Sequence, residues 1–510
     1  MLFKRCVSLL AACICLSCLA AGQTGGMGRQ AVREPAVAGQ FYAADAATLK
    51  QTLQAFLSSA VPPRPERPIA IVVPHAGYIY SAQITADAFR QAAAHRYDVV
   101  VIIGVNHSAP GFNRIALFPG TGFRTPLGVA EIDVAVAEAL VREDAGCVFH
   151  QAAHAEEHSV EVQVPFVQHV FPGVRIVPIV MGTEDPAASR RLGRALAKVL
   201  KDRSPLIVAS SDLSHYPTAQ DAPAVDRRTL EAVASLDPDT LQSATSAQMA
   251  RGVAGLATTA CGAASIAAAM VAASGLGATR GAVISYANSS DVAVGDPSRV
   301  VGYGAVAFTG GQRGSDVSAL RAPPTEAPSG PLDQADKKAL LSLARDTLTR
   351  FLATQTLPLV RGFSARATRA QGAFVTLKRR GELRGCIGQI VSSAPLARVV
   401  AAMTLEAALN DTRFDKVRAS ELSSLEIEIS ALTPPRTVAG PGLIVVGRDG
   451  VILQKSGRSA VFLPQVATEQ GWDRDEMLDN LCQKGGLPTG CWRSGATLQT
   501  FQADVFSEHQ

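Results

Sequence analysis

Aromatic residues make up only 5% of this 510-residue chain, and its formal net charge is only +4. Two of the positive charges, Lys4 and Arg5, lie at the extreme N-terminus. We find no basic cluster with interleaved aromatic residues, a pattern common on nucleic-acid-binding surfaces. The composition therefore argues against nucleic acid as a partner. Hydrophobic residues reach 47%, so the chain can still build large cores, which should be mainly aliphatic.

Long apolar runs are also lacking, with one exception at the N-terminus. A positively charged start precedes an apolar stretch at 6–19, and small residues follow at 20–22, which is the pattern of an export signal. We therefore predict that residues 1–22 are a signal peptide and that the mature protein is exported, to the periplasm or to a membrane surface. Residues 10–13 also resemble a lipoprotein processing box. A lipid anchor at this position and an uncleaved anchor therefore stay open as alternatives.

Cysteine is sparse beyond this leader. Four of the nine cysteines lie within residues 1–22, which leaves an odd number: Cys147, Cys261, Cys386, Cys482 and Cys491. In an oxidising compartment, a cysteine left over after the others form disulfides is either free or bound to a metal. Cys482 and Cys491 are close enough in sequence to be bridged, but their spacing alone does not establish a disulfide.

Apolar runs alternate with helical patterns from about residue 35 to residue 309. This alternation predicts an α/β domain with a mostly parallel sheet covered by helices on both faces. The predicted strands lie at 69–73, 99–105, 176–180, 206–209, 282–286 and 301–308. Residues 310–333 are rich in glycine and proline, and we interpret them as a linker.

Residues 334–508 predict a second domain of the α+β class. Helical patterns lie at 336–353 and 400–409, and strand patterns lie at 373–378 and 425–432. Two further runs, 445–453 and 460–463, resemble a hairpin around Asp449 and Gly450.

Side chains that bind metals follow three of the predicted strands in the first domain. His75 follows one strand, His107 the next, and Asp212 and His215 a third. Cys261 directly precedes an alanine-rich helix, whose dipole would favour the thiolate. In an open α/β sheet, ligands bind outside the carboxyl ends of the strands. Because imidazoles and thiolates bind transition metals, the sequence predicts a metal pocket there.

A fourth cluster contains His158 and Glu161, which would share one face of a helix. Each signal is weak by itself, because a lone histidine after a strand is more often a hydrogen-bonded structural residue. Cys261 alone is likewise more typical of a small buried hydrophobic residue than of a ligand. The prediction depends on the recurrence of ligand-type side chains at strand ends. We interpret the remaining histidines as surface or loop residues: His95, His150, His154 and His169.

Five sequence words in residues 35–309 resemble the Memo family, the B component of the AmmeMemoRadiSam system. They are PAVAGQFY at 35–42, PHAGY at 74–78, EHSVE at 157–161, SDLSH at 211–215 and ACG at 260–262. Memo proteins resemble class III extradiol dioxygenases, whose iron is bound by two histidines and a glutamate, and a cysteine takes the place of that glutamate. The resemblance implies that the metal ligands are His75, His107 and Cys261. It places four further residues in or near the same pocket: Asp212, His215, His158 and Glu161.

A thiolate is a softer ligand than a carboxylate, so we predict copper or iron rather than zinc. Extradiol cleavage does not follow from the shared fold alone. We predict redox or oxygenase-like chemistry on a small molecule or peptide, with His215, supported by Asp212, as acid/base or substrate contact. Two alternatives stay open. One is a non-catalytic module that binds a peptide or small anion, and the other is a zinc-dependent hydrolase with Glu161 or Asp212 as general base.

The second domain carries the motif LRGCIG at 383–388. Gly385 and Gly388 allow a tight turn, and Arg384 could depress the pKa of Cys386 or hold an anion. The residues alone favour a close-packed turn with a buried cysteine.

With four further words, this motif resembles the AMMECR family, the A component of the same system. The further words are AALNDTRF at 407–414, IEIS at 427–430, GRDGV at 447–451 and FLPQVA at 462–467. The resemblance implies an α+β fold and marks Arg384 and Cys386 as a candidate site without a role. The third component of the system, a radical-SAM protein, would be a separate partner, since we find no three-cysteine cluster motif in the sequence.

Overall fold

The computed structural model describes residues 32–320 and 330–508. The predicted signal peptide and part of the predicted linker lie outside the described residues. No helix within the described ranges is both long and apolar enough to cross a membrane.

The first domain alternates strands and helices, as its hydrophobic pattern predicts. Its strands are β1 (Val32–Arg33), β2 (Pro68–Val73), β3 (Val99–Val105), β4 (Ile115–Leu117), β5 (Gly122–Thr125), β6 (Gly128–Glu131), β7 (Cys147–Phe149), β8 (Arg175–Met181), β9 (Pro205–Ser210), β10 (Arg280–Asn288), β11 (Gly302–Thr309) and β12 (Gly314–Asp316). Its helices are α1 (Ala46–Ser58), α2 (Tyr78–Ala92), α3 (Val134–Glu143), α4 (Ala152–Ala155), α5 (His158–Glu161), α6 (Val164–Val170), α7 (Pro186–Val199), α8 (Ala222–Ala234), α9 (Pro238–Ala250) and α10 (Ala263–Gly275).

Nine of these strands form one sheet in the order β12-β10-β11-β2-β9-β3-β8-β4-β7. Strands β2, β9, β3 and β8 are parallel, whereas β11 pairs antiparallel with β2 and β4 pairs antiparallel with β8. The mostly parallel sheet is therefore confirmed. Strand β12 lies inside the predicted linker and pairs with β10, so the first part of that segment belongs to the sheet.

Helices cover both faces of the sheet, and the side chains of β3 show how the two cores arise. Val100 and Ile102 contribute to one core with residues of α1, α2 and α6. Val101 and Ile103 contribute to the opposite core with residues of α7, α8 and α10. Successive side chains of a strand point to opposite faces, so a strand buried on both faces is a continuous apolar run.

The second domain is α+β, as predicted. It contains α11 (Gln334–Thr354), β13 (Ala373–Arg379), β14 (Glu382–Gln389), α12 (Leu396–Leu409), β15 (Leu425–Leu432), β16 (Arg436–Thr437), β17 (Gly450–Lys455), β18 (Arg458–Phe462), α13 (Pro464–Gln470), α14 (Arg474–Lys484), β19 (Thr497–Phe501) and β20 (Ala503–Ser507). Two four-stranded sheets have the orders β14-β13-β15-β20 and β16-β19-β17-β18.

Two local predictions in this domain are wrong. The LRGCIG motif lies in strand β14 rather than in a tight turn. A glycine is required at position 385 because helix α12 packs closely against the strand. A Cβ atom at this position would lie 2.2 Å from the carbonyl oxygen of Ala407 on α12. The hairpin of β17 and β18 turns at Ser456 and Gly457, which both have positive φ, rather than at Asp449 and Gly450.

The two domains share packed contacts. Val292 of the first domain is fully buried in the hydrophobic core of the second. The backbone N–H of Val360 donates to the carbonyl oxygen of Asp291 at 2.7 Å. The Arg361 guanidinium lies 3.4 Å from the buried Asp87 carboxylate. The second domain is therefore packed directly against the first.

A disulfide joins Cys482 of α14 to Cys491. We expect its removal in a Cys482→Ala/Cys491→Ala variant to lower the stability of this region by about 2–3 kcal/mol, because the unfolded chain loses a closed loop. The only two tryptophans, Trp472 and Trp492, pack in the same small core, so denaturant unfolding followed by tryptophan fluorescence reports on it. Reductant should destabilise the unaltered protein and leave the variant unchanged; an equal response of both would contradict this expectation.

Candidate metal centre

Three of the predicted site residues lie at the same position relative to three adjacent strands. His75, Asp212 and His107 each follow the last residue of β2, β9 and β3 by two positions. Parallel neighbouring strands end at the same sheet edge, so this spacing brings the three side chains together. Cys261 reaches the same edge from the segment before α10.

The structure brings His75, His107 and Cys261 within reach of one ion. Their potential ligand atoms all lie within 4.8 Å of one another. The Sγ atom of Cys261 is 3.2 Å from Nε2 of His75. Metal–sulfur bonds of about 2.3 Å and metal–nitrogen bonds of about 2.0–2.1 Å, at angles of roughly 90–110°, separate the two ligand atoms by about 3.0–3.6 Å. The observed distance falls within that interval.

Hydrogen bonds fix the tautomer of His75. Its Nδ1 lies 3.2 Å from the hydroxyl oxygen of Ser210, and that hydroxyl donates its single proton to the carbonyl oxygen of Ser159 at 2.6 Å. Ser210 can therefore only accept from His75, which places the ring proton on Nδ1 and leaves Nε2 free. Burial lowers the pKa of His75 to about 3, so the ring is neutral.

A carboxylate fixes His107 in the same tautomer. Nδ1 of His107 lies 3.0 Å from Oε1 of Glu157, and the other oxygen of this carboxylate accepts the backbone N–H of His107. Burial opposes ionisation of Glu157, but the interactions with His107 and the N–H of Ser159 outweigh it and lower the pKa of Glu157 to about 2. The ionised carboxylate accepts a hydrogen bond from Nδ1–H of His107. The Nε2 atom of His107 therefore carries no proton and is also free to bind a metal.

Sequence reasoning gave Glu157 no role, although it lies in one of the Memo words. We expect Glu157→Gln to lower metal affinity by about 10- to 100-fold, as the loss of such an outer partner commonly does. The measurement is competition against a chelator of known affinity. Glu156→Gln is the matched control, because Glu156 is the exposed neighbour. Equal affinities of the two variants would remove Glu157 from the site.

Cys261 is a protonated thiol in the metal-free protein. Burial, together with the charge of Asp212, raises the pKa of the Cys261 thiol well above its ordinary value. The sequence-based expectation of a thiolate therefore does not match the metal-free site, where burial favours the neutral thiol. A bound cation would reverse this balance, since coordination deprotonates a thiol.

Asp212, His215 and His158 border this cluster. One oxygen of Asp212 accepts the backbone N–H of His75 at 2.8 Å, and burial raises the pKa of Asp212. Asp212, His215 and Cys261 form a second group of potential ligand atoms within 4.8 Å. The His158 ring stacks on His107 with centroids 4.5 Å apart, and burial lowers the pKa of His158 to about 4.

Glu161 does not join the cluster. Its carboxylate forms an ion pair with Arg33 at 2.6 Å and accepts the Tyr42 hydroxyl at 2.6 Å. It also accepts the backbone N–H groups of Ala36 and Val37. The prediction that Glu161 faces the pocket with His158 therefore does not match the structure, because α5 is a single turn and Glu161 is engaged by the N-terminal segment.

One of the remaining histidines also differs from expectation. His154 is only 1% exposed, and its Nε2 lies 3.2 Å from the carbonyl oxygen of Ala116, so its interpretation as a surface or loop residue is wrong.

Arg384 and Cys386 both lie on β14 of the second domain, but the pairing of β14 with β13 skips Arg384, whereas Cys386 pairs with Thr376. Two guanidinium nitrogens of Arg384, Nε and Nη2, donate to the carboxylate of Glu421 at 2.9 and 3.0 Å. The hydroxyl of Thr376 donates to Sγ of Cys386 at 3.2 Å. These two residues therefore do not share a direct partner.

Comparisons with known proteins agree with both halves of the fold. Residues 33–307 match the family model of the Memo-like proteins, and residues 341–506 match the AMMECR1 model. A MEMO1 family protein of Methanopyrus kandleri is 36% identical over 291 residues, which cover 55% of this chain and 99% of that protein. A MEMO1 family protein of Aquifex aeolicus is 36% identical over 274 residues, covering 53% and 97%.

A solved structure of an uncharacterized protein from Pyrococcus horikoshii is 34% identical, with a TM-score of 0.33 over 35% of this chain and 93% of its own. The two family matches together account for most of the described residues. The chain belongs to the Memo family, and its Memo domain is fused to an AMMECR1 domain.

Proposed function

We propose that this protein binds copper or iron through Nε2 of His75, Nε2 of His107 and Sγ of Cys261, and that the ion supports redox or oxygenase-like chemistry. The proposal rests on the proximity of one potential ligand atom from each of these three residues, and on the hydrogen bonds that occupy the Nδ1 atoms of both imidazoles. Such outer partners orient ligating imidazoles in known metal sites.

The donor set favours copper or iron. Two imidazole nitrogens and one sulfur form a softer site than two histidines and a carboxylate. Three protein ligands also leave coordination positions open for a small molecule or peptide. A bound copper or iron ion would supply one-electron chemistry in this pocket.

The residues around the ion would bind and exchange protons. His215 is neutral, because burial lowers its pKa, and its Nε2 has no hydrogen-bond partner among the described residues. We propose that Nε2 of His215 takes a proton from a bound substrate, with the adjacent Asp212 stabilising the charged ring.

Elemental analysis and EPR of protein purified without oxygen test this proposal. We expect about one copper or iron ion per chain, with an EPR signal in the paramagnetic oxidation state. Zinc alone, together with hydrolytic activity, would support the hydrolase instead. Ligand binding unaffected by metal would support the non-catalytic module. The hydrolase would have to use Asp212 as its base, because Glu161 is engaged by Arg33 and Tyr42.

We further propose that the protein functions outside the cytoplasm. The disulfide between Cys482 and Cys491 supports this location, because such bonds persist mainly in oxidising compartments. Cell fractionation with N-terminal sequencing is expected to give a mature chain that begins after residue 22, or a lipid-modified Cys13. A cytoplasmic chain that retains residues 1–22 would contradict this location, but it would not contradict the proposed metal site. A radical-SAM protein stays a proposed partner.

A further inference from the structure

A second concave site lies in the AMMECR1 domain, beside strand β14. It is an open depression with a volume of about 510 Å³. Its charged lining comprises four basic and two acidic side chains: Arg379, Arg384, Lys416, Arg418, Asp415 and Glu421. This composition leaves two positive charges uncompensated. The site contains the arginine of the LRGCIG motif, to which the proposed function gives no role.

The floor of this pocket is rigid. Arg384 contacts both oxygens of Glu421 and donates to the carbonyl oxygen of Asp415 at 2.8 Å. Glu421 also accepts the backbone N–H of Arg418 at 2.9 Å. The hydrogen bond from Arg384 is the largest cause of the lowered pKa of Glu421, so this carboxylate is ionised and held in place. Side chains fixed in this way bind a ligand without further ordering.

The remaining cations have no comparable partner within the pocket. Arg379 is nearly half exposed and lies 3.4 Å from Glu421, which Arg384 already engages more closely. Lys416 and Arg418 are exposed. A concave surface with a net excess of positive charge concentrates anions. Guanidinium groups and ammonium groups are also the side chains that recognise phosphate.

We propose that this pocket binds a small dianion of the phosphate type, either phosphate itself or the phosphate group of a small monoester. Two uncompensated positive charges match the charge of such a group. The volume of this open pocket lies within the range of small-molecule sites and exceeds the size of phosphate alone. Phe414 also lines the pocket and would contact the organic part of a monoester. Arg384 acts as a positioning residue, because it holds Glu421 and the segment that carries Lys416 and Arg418.

Titration of the full-length protein with inorganic phosphate, followed by calorimetry at constant ionic strength, tests this proposal. We expect saturable binding, and we expect the Lys416→Ala/Arg418→Ala variant to bind at least about tenfold more weakly, since it loses two charge-assisted contacts. Arg436→Ala removes an exposed arginine outside the pocket and should bind like the unaltered protein. Circular dichroism verifies that each variant is folded.

Phosphate could also contact an ion in the Memo domain, so His107→Ala is titrated in parallel. We expect this variant to keep its phosphate affinity, which separates the pocket from the metal centre. Three results would overturn the proposal. They are the absence of saturable binding, equal affinities of the double variant and the unaltered protein, and binding lost only in His107→Ala.

Discussion

Replacing Cys261 by alanine is expected to reduce bound metal to less than about a tenth of its stoichiometric level, because one of three protein ligands is lost. The thiol lies 3.2 Å from the free nitrogen of His75, and alanine has no atom that can replace it. His107→Ala should have the same effect. The measurement is elemental analysis of protein purified without oxygen, after gel filtration to remove loosely bound ions.

Two matched variants control for general effects of cysteine and histidine loss. Cys386→Ala removes a free cysteine in the other domain, and His95→Ala removes a histidine outside the cluster. Both should keep their full metal content. If all four variants contain as much metal as the unaltered protein, the three-residue site does not exist.

Breaking the ion pair between Arg33 and Glu161 is expected to destabilise the protein by about 3–5 kcal/mol, because the remaining charge is buried without its partner. The two side chains are 3% and 0% exposed. In Glu161→Gln, the Arg33 guanidinium keeps its carbonyl acceptors but loses the opposite charge. Denaturant unfolding measures the loss.

The double variant Arg33→Met/Glu161→Met, compared with the two single Met variants, tests the pair. It should be less destabilised than the sum of the two single variants, because it leaves no unpaired charge in the interior. Glu156→Gln, at an exposed position, should change stability by less than about 0.5 kcal/mol. A Glu161→Gln protein that is as stable as the unaltered protein but loses the activity of the metal site would instead indicate that this residue is a catalytic base.

The convergence of the metal cluster could be predicted because it depends on local signals. Buried parallel strands are continuous apolar runs, and residues that directly follow neighbouring strands meet at one edge of the sheet. His75, His107 and Asp212 satisfy both conditions. The strands β4, β7 and β12 were not predicted from the sequence, because a strand of three residues shows too little periodicity.

The errors arose where distant partners outweigh local pattern. Glu161 is paired with Arg33, 128 residues away, and Glu157 holds His107, 50 residues away. The turn signal at Asp449 was overridden because its carboxylate accepts the backbone N–H of Val445 instead. Gly385 was interpreted as a turn residue. A glycine is needed there because helix α12 packs closely against the strand, and this contact cannot be predicted from the motif alone.

The burial of Val292 in the neighbouring domain has a consequence for dissection of the chain. A fragment that keeps β12 and stops near residue 320 would bring this valine and its surroundings into water. Such a fragment should self-associate or require a solubilising substitution at this position. For relatives that consist of a Memo domain alone, we expect a more polar surface at this position, or a separate protein that covers it.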